Sequence, residues 1–251
     1  MPHVAQLALS LPAPRRWGGR RAGAGRKPGP HPGMRHRSRV RFRTLPAHVT
    51  LRLLPGLPSL RDTRIVRAIE RSFADGCQRG SFRLVHYSLQ GNHAHLIVEA
   101  CDRDALGRGM MAIGSRLARA VNRVARRSGQ VLADRYHVRL LKTPREVHRA
   151  LRYVLLNARR HAAALRKKIA SKVRTSLSGE VCLDPASSAR WFDGWKRQGL
   201  DAVMPPPPKR SAAARASAVS PERPAVARAR TWLLTVGWRR HGLLDPVDVP
   251  G

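Results

Sequence analysis

Acidic residues are scarce in this chain. Only 15 Asp and Glu stand against 49 Lys and Arg in 251 residues, a formal net charge of +34. A charge of that size attracts polyanions, nucleic acid above all. Long apolar runs are absent too: none approaches the roughly 20 residues needed to span a bilayer. The one N-terminal apolar piece, Val4 to Leu11, has no basic stretch ahead of it. The chain therefore reads as soluble, with no membrane partner, in the cytoplasm and associated with the nucleoid. Cysteine is nearly missing. Cys77, Cys101 and Cys182 are odd in number, widely spaced and without a Cys-x-x-Cys pair, so neither a disulfide framework nor a zinc knuckle is indicated. Aromatics make up only 5%, little material for a base-stacking surface.

The first acid is Asp62, and before it Arg15, Arg16, Arg20, Arg21, Arg26 and their successors sit among Gly and Pro. Residues 1–45 read as a disordered basic arm that contacts phosphates without reading sequence; Met34 could start a shorter chain. A second low-complexity stretch, 205–224, opens with Pro205-Pro206-Pro207-Pro208 and reads as an extended Pro/Ala/Ser/Arg-rich linker. An ordered domain, 46–164, and an extension, 165–204, lie between them. The last segment, 225–251, brings Trp232, Leu233, Leu234, Val236 and Trp238, which are expected to fold back onto the domain.

Within 46–164 the element types alternate. His48–Leu53 alternates apolar and polar residues as a strand does, and Leu60–Arg79 carries Ile65, Ile69 and Phe73 at helical spacing. Phe82–Leu89 and His93–Ala100 read as a hairpin about a Gln90-Gly91-Asn92 turn. A basic helix from Asp104 to Arg127, a strand at Tyr136–Leu141 and a helix opened by Pro144 and running to Ala164 follow. The order predicts an α+β fold, a ferredoxin-like or RRM-like antiparallel sheet with helices on one face.

The most telling residues are Gly91-Asn92-His93-Ala94-His95. Side chains alternate across a strand, so His93 and His95 share a face and can hold one divalent ion between them. Alone, such a pair is a weak signal. It gains from the last helix, where Leu151, Val154, Leu155 and Ala158 form the packing stripe and Arg149, Tyr153, Asn157 and Arg160 the adjacent line. That spacing offers Tyr153 and Asn157 to the same site. A free phenol, with a pKa of about 10, needs a metal or a guanidinium to make it a useful nucleophile, and Arg149 and Arg152 are placed to help. Arg116, Arg119, Arg123, Arg126 and Arg127 on the basic helix are further candidates for phosphate contact.

The strand beginning His48-Val49-Thr50, the segment Asn92-His93-Ala94-His95-Leu96, the stretch 129–135 and Tyr153-Val154-Leu155-Leu156-Asn157 together resemble the single-tyrosine HUH transposases associated with repetitive extragenic palindromes, over roughly residues 46–164. The resemblance implies that His93, His95 and Asn157 hold a Mg²⁺ or Mn²⁺ ion and that Tyr153 attacks single-stranded DNA. It also implies a 5′-phosphotyrosine intermediate and a single-stranded or hairpin DNA substrate; a homodimer is left open. The chain departs from the family at Gly91 and Ala158, where prolines are usual, and at Ala94, where a bulkier aliphatic is usual. None of the three supplies a catalytic atom.

Other readings remain open at this point: a non-catalytic RRM-like nucleic-acid binder with Tyr87 as its best stacking ring, a zinc hydrolase that borrows Glu99, and an inactive, domesticated transposase. Tyr136, which precedes His137, is the runner-up nucleophile.

Overall fold

Every second residue of Ala47–Arg52 is buried, and in a computed structural model of the chain this strand, β1, lies inside an antiparallel sheet. The structure describes residues 44–160, 183–198 and 224–249. The basic arm up to residue 43, Cys182, most of the extension and nearly all of the linker lie outside the described residues. Four further strands complete the sheet: β2 (Gln78–Arg79), β3 (Phe82–Leu89), β4 (His93–Ala100) and β5 (His137–Leu140). Their order is β2-β3-β4-β1-β5, with every neighbour antiparallel.

Among the described residues three longer helices pack on this sheet, and each begins where a side chain can accept the orphan backbone N–H groups of its first turn. Asp62 accepts from Arg64 and Ile65, so α1 spans Thr63–Ala74 and not the longer range from Leu60 that apolar spacing predicts. Residues 78–79, expected as helix, form β2 instead. Asp102 caps α2 (Arg103–Val124). Thr143 and Glu146 form a reciprocal capping box at the start of α3 (Pro144–Leu155), with Pro144 in the first turn. The expected continuation of α3 to residue 164 is interrupted: Leu156 is a turn, and helical backbone resumes at 157–160.

The helices divide between the two faces. Ile65, Ile69 and Phe73 of α1 and Met110, Ile113 and Leu117 of α2 pack with Val49, Leu51, Leu84, Leu96 and Val98. α1 and α2 thus share one face, as the element order predicts, and α3 does not join them. On the opposite face, Val147, Leu151 and Val154 of α3 pack with Val85 and Ile97, together with Phe192, Trp195, Leu234 and Trp238 from the C-terminal half. A bulge between Leu84 and His86 lets both Val85 and His86 serve this second face.

The C-terminal segment is tacked to β4 by one buried carboxylate. Glu99 accepts from the Arg230 and Thr231 backbone N–H groups and from the Thr231 hydroxyl, the last at 2.7 Å. Of the residues expected to fold back, Trp238 and Leu234 are buried and Leu233 is partly covered. Trp232 and Val236 are exposed, and the Arg240 guanidinium lies 4.8 Å from the Trp232 ring centre. No helix among the described residues is long and apolar enough to cross a membrane.

His86 gives this core a pH dependence. It is buried between Ser188, 3.3 Å from its Nδ1, and the edge of Phe192, and burial holds its pKa down to about 3 from 6.5. Above pH 6.5 the residue is neutral folded and unfolded, and it adds no pH dependence. As the pH falls below 6.5 the unfolded chain binds a proton that the folded chain refuses, so stability drops until the pH reaches the folded pKa. We expect a loss on the order of 3 kcal/mol by pH 4. Urea midpoints measured from pH 8 to 4 should show it, and His86→Gln should flatten that share of the slope.

Candidate active site

Pairing β1 with β4 decides what surrounds the two histidines. Thr50 stands opposite His95 and Arg52 opposite His93, and cross-strand partners point to the same side of the sheet. That side is the α3 face. The His93 and His95 rings meet edge to face, with centroids 4.7 Å apart. His95 is buried and its Nδ1 lies 3.2 Å from both the Thr50 hydroxyl and His48 Nε2. His93 is half-buried, with Nδ1 2.9 Å from Asn92 Oδ1. His95 thus turns Nδ1 to neighbours in the sheet and Nε2 toward α3, while His93 Nδ1 faces the Asn92 amide in the preceding turn.

Tyr153 reaches this group from the end of α3. Its hydroxyl is 3.3 Å from His95 Nε2, and its ring stands edge-on to His95 at 5.0 Å and to His48 at 5.8 Å between centroids. The Arg160 guanidinium is 5.6 Å from the Tyr153 ring centre. Burial, reinforced by the charges of His137 and Arg139, holds His48 down to about 4, so it is uncharged at neutral pH.

Asn157 does not sit one unbroken helical turn from Tyr153, as the spacing predicts. The break at Leu156 lies between them, and Asn157 is fully buried, with neither Oδ1 nor Nδ2 hydrogen-bonded among the described residues. An orphaned buried amide costs about 1–3 kcal/mol. Its carbonyl oxygen, with two imidazole nitrogens, is a donor set that suits Mg²⁺ or Mn²⁺ when water and substrate oxygens fill the remaining positions. The described residues hold no group of three or more His, Cys, Asp or Glu able to bind a metal.

No family model and no curated protein matches the sequence. The fold is similar to the solved structure of a REP-associated tyrosine transposase bound to a REP hairpin, at 12% identity and a TM-score of 0.42, over 51% of this chain and 74% of that one. It is also similar to a candidate transposase from Deinococcus radiodurans R1, at 12% identity and a TM-score of 0.34, over 55% of this chain and 98% of that one. Both neighbours carry transposase names. Likenesses this loose carry no functional argument; the placed histidines and tyrosine do.

The arginines singled out in the sequence fare unevenly. α2 packs on the face of the sheet away from His95 and Tyr153, so Arg119 and Arg123 lie on the far side from the site; Arg126, expected on this helix, lies beyond its end at Val124. Arg116 donates to the carbonyl oxygen of Ser72 and Arg127 to Asn122 Oδ1 and the Gln130 carbonyl, which ties α2 to α1 and to its own C-terminal loop. On α3, Arg149 is exposed, while Arg152 is ion-paired with Asp248 at 3.0 Å and donates to the Val249 carbonyl. Glu99 is committed to the C-terminal segment and is not a third ligand. Tyr136 packs against the α1/α2 core, on the face opposite the histidines.

Sequence reading missed His48 and Thr50 as partners of His95, and Arg52 as the neighbour of His93. Strand alternation already puts all three on one side of β1. What it cannot give is the pairing of β1 with β4 and its register.

Proposed function

We propose that the chain is a metal-dependent DNA transesterase of the transposase kind, which cuts and rejoins single-stranded or hairpin DNA through a 5′-phosphotyrosine. The observation that carries this reading is the approach of the Tyr153 hydroxyl to His95 Nε2 at 3.3 Å, from elements 58 residues apart in sequence. Tyr153 acts as nucleophile. Its oxygen bonds to the scissile phosphorus, the bond from phosphorus to the 3′-oxygen breaks, and the proton given up by the phenol ends on the released 3′-hydroxyl. The ester on Tyr153 retains the bond energy, so the reverse attack by a 3′-hydroxyl rejoins DNA without ATP.

His93, His95 and Asn157 are the residues that would hold Mg²⁺ or Mn²⁺. When bound, the ion supplies charge that polarises a non-bridging phosphate oxygen. His48 and Thr50 fix the His95 ring from its Nδ1 side, and Arg160 adds positive charge beside Tyr153.

Two competing readings lose their residues. The stacking ring that an RRM-like binder needs is not on the surface: Tyr87 is buried, and its hydroxyl donates to Glu70 at 2.7 Å, with burial and the Glu70 carboxylate pushing the phenol pKa upward. The zinc hydrolase lacks its carboxylate, as Glu99 shows. The test uses an end-labelled single-stranded hairpin substrate incubated with the protein and Mn²⁺. We expect nicking that excess chelator stops and added Mn²⁺ restores. Nicking that persists in chelator would sink the metal role, and no nicking of any hairpin or single strand would sink the enzyme.

A further inference from the structure

The α3 face of the sheet is covered over only half its width. On β3 and β4 its residues His86, Ser88, His95, Ile97 and Glu99 are buried beneath α3 and the C-terminal half, and only His93 at the start of β4 is half-buried. On β1 and β5 the same face stays open: His48 and Thr50 are partly exposed, and Arg52, His137 and Arg139 are exposed. The registers make this a continuous strip, with His137 beside Thr50, Arg139 beside His48, and Arg52 beside His93. Neighbouring strands are about 4.8 Å apart and alternate residues about 6.8 Å apart. The strip is therefore roughly one polynucleotide strand wide, bounded on one side by α3 and leading directly to Tyr153.

Its charge has one sign. Arg139 is partly satisfied by Glu146 at 3.3 Å, whereas Arg52 has no ion-pair partner among the described residues. No acid lies on the strip itself. A phosphate within reach of the Tyr153 hydroxyl would lie beside His95 and His48, and from there the strand registers lead to Arg52 on one side and to His137 and Arg139 on the other.

We propose that this open β1–β5 strip is the track of the single-stranded DNA substrate, with Arg52 binding the phosphate next to the scissile one. The proposal rests on the functional reading above and adds to it the surface and the residue. It moves substrate contact from the basic helix α2, on the opposite face, to a pair of strands with far fewer charges.

A photo-crosslinking experiment on the full chain tests it. His137→p-azidophenylalanine and, on α2, Arg119→p-azidophenylalanine are irradiated with a fluorescein-labelled single-stranded oligodeoxynucleotide of mixed sequence, in chelator. The expected result is strong crosslinking from position 137 and little from 119, with unlabelled single-stranded DNA displacing the label far better than duplex or RNA. Adding Arg52→Ala should cut the position-137 crosslink and weaken binding about tenfold, the worth of one charge-assisted hydrogen bond. It should also lower the salt slope by about one. Arg52→Lys should recover most of both. Equal crosslinking from 137 and 119, better displacement by duplex or RNA, or an Arg52→Ala variant that binds and crosslinks as the parent does would each overturn the strip. The two readings fail separately: nicking without a position-137 crosslink removes the strip alone, and a position-137 crosslink without nicking removes the enzyme alone.

Discussion

Tyr153→Phe is expected to abolish strand cleavage and the covalent protein–DNA adduct, a loss of at least about 10³-fold, while leaving the protein folded and bound to DNA. The ring contacts with His95 and His48 survive the substitution, since they are made by the aromatic edges and faces. Only the hydroxyl beside His95 Nε2 is removed, and a single part-buried hydrogen bond is worth about 1 kcal/mol of stability. A large kinetic effect with a small change in urea midpoint separates a nucleophile from a packing residue. The chain has three tyrosines, and the structure removes two from contention. Tyr87 is buried with its hydroxyl on Glu70. Tyr136 packs on the core of the opposite face. Mapping the DNA-linked peptide by mass spectrometry should place the adduct on Tyr153. An adduct on Tyr136, or one that survives Tyr153→Phe, would mean that α3 does not carry the chemistry.

The parts of this arrangement legible in the sequence are those fixed by local pattern. β3 and β4 fall on the expected bounds, 82–89 and 93–100, because dense apolar residues end at Gln90-Gly91-Asn92. Pro144 and the Thr143–Glu146 pair mark the start of α3 just as directly. Its end is not marked. No Gly or Pro stands at Leu156, and the apolar rhythm runs on through it, so a break that buries Asn157 leaves no trace in the residue pattern. Function-bearing neighbours were hidden for a different reason. Arg52 and His93 are 41 positions apart, and what joins them is the β1–β4 register, a property of two strands together. The same holds for α2. Its arginines are evident from composition, but the face of the sheet they occupy is set by the crossover of the chain. Charge counting therefore pointed to the helix with the most arginines, where Arg116, and Arg127 just past its end, are committed to holding the fold together.

Asn157→Leu should raise the stability of the metal-free protein and lower its activity, two effects of opposite sign from one buried side chain. The amide has lost its water and has no hydrogen-bond partner among the described residues. A leucine of similar volume removes that unmet polarity, and a gain of about 1–3 kcal/mol follows. The same substitution takes away the oxygen donor proposed to join the two histidines, and cleavage should then fall by about 100-fold or more. The two effects are read independently. Without metal, the variant's thermal midpoint should exceed the parent's. Saturating Mn²⁺ stabilises whatever folded protein binds it, by about 2.7 kcal/mol at a concentration 100 times the Kd, so titrating Mn²⁺ should raise the parent's midpoint steeply and close the gap, while the variant responds weakly. If Asn157→Leu instead destabilises the metal-free protein and keeps the parent's full response to Mn²⁺, the amide is a structural group satisfied from elsewhere in the chain, and His93 and His95 must find their third donor in another residue.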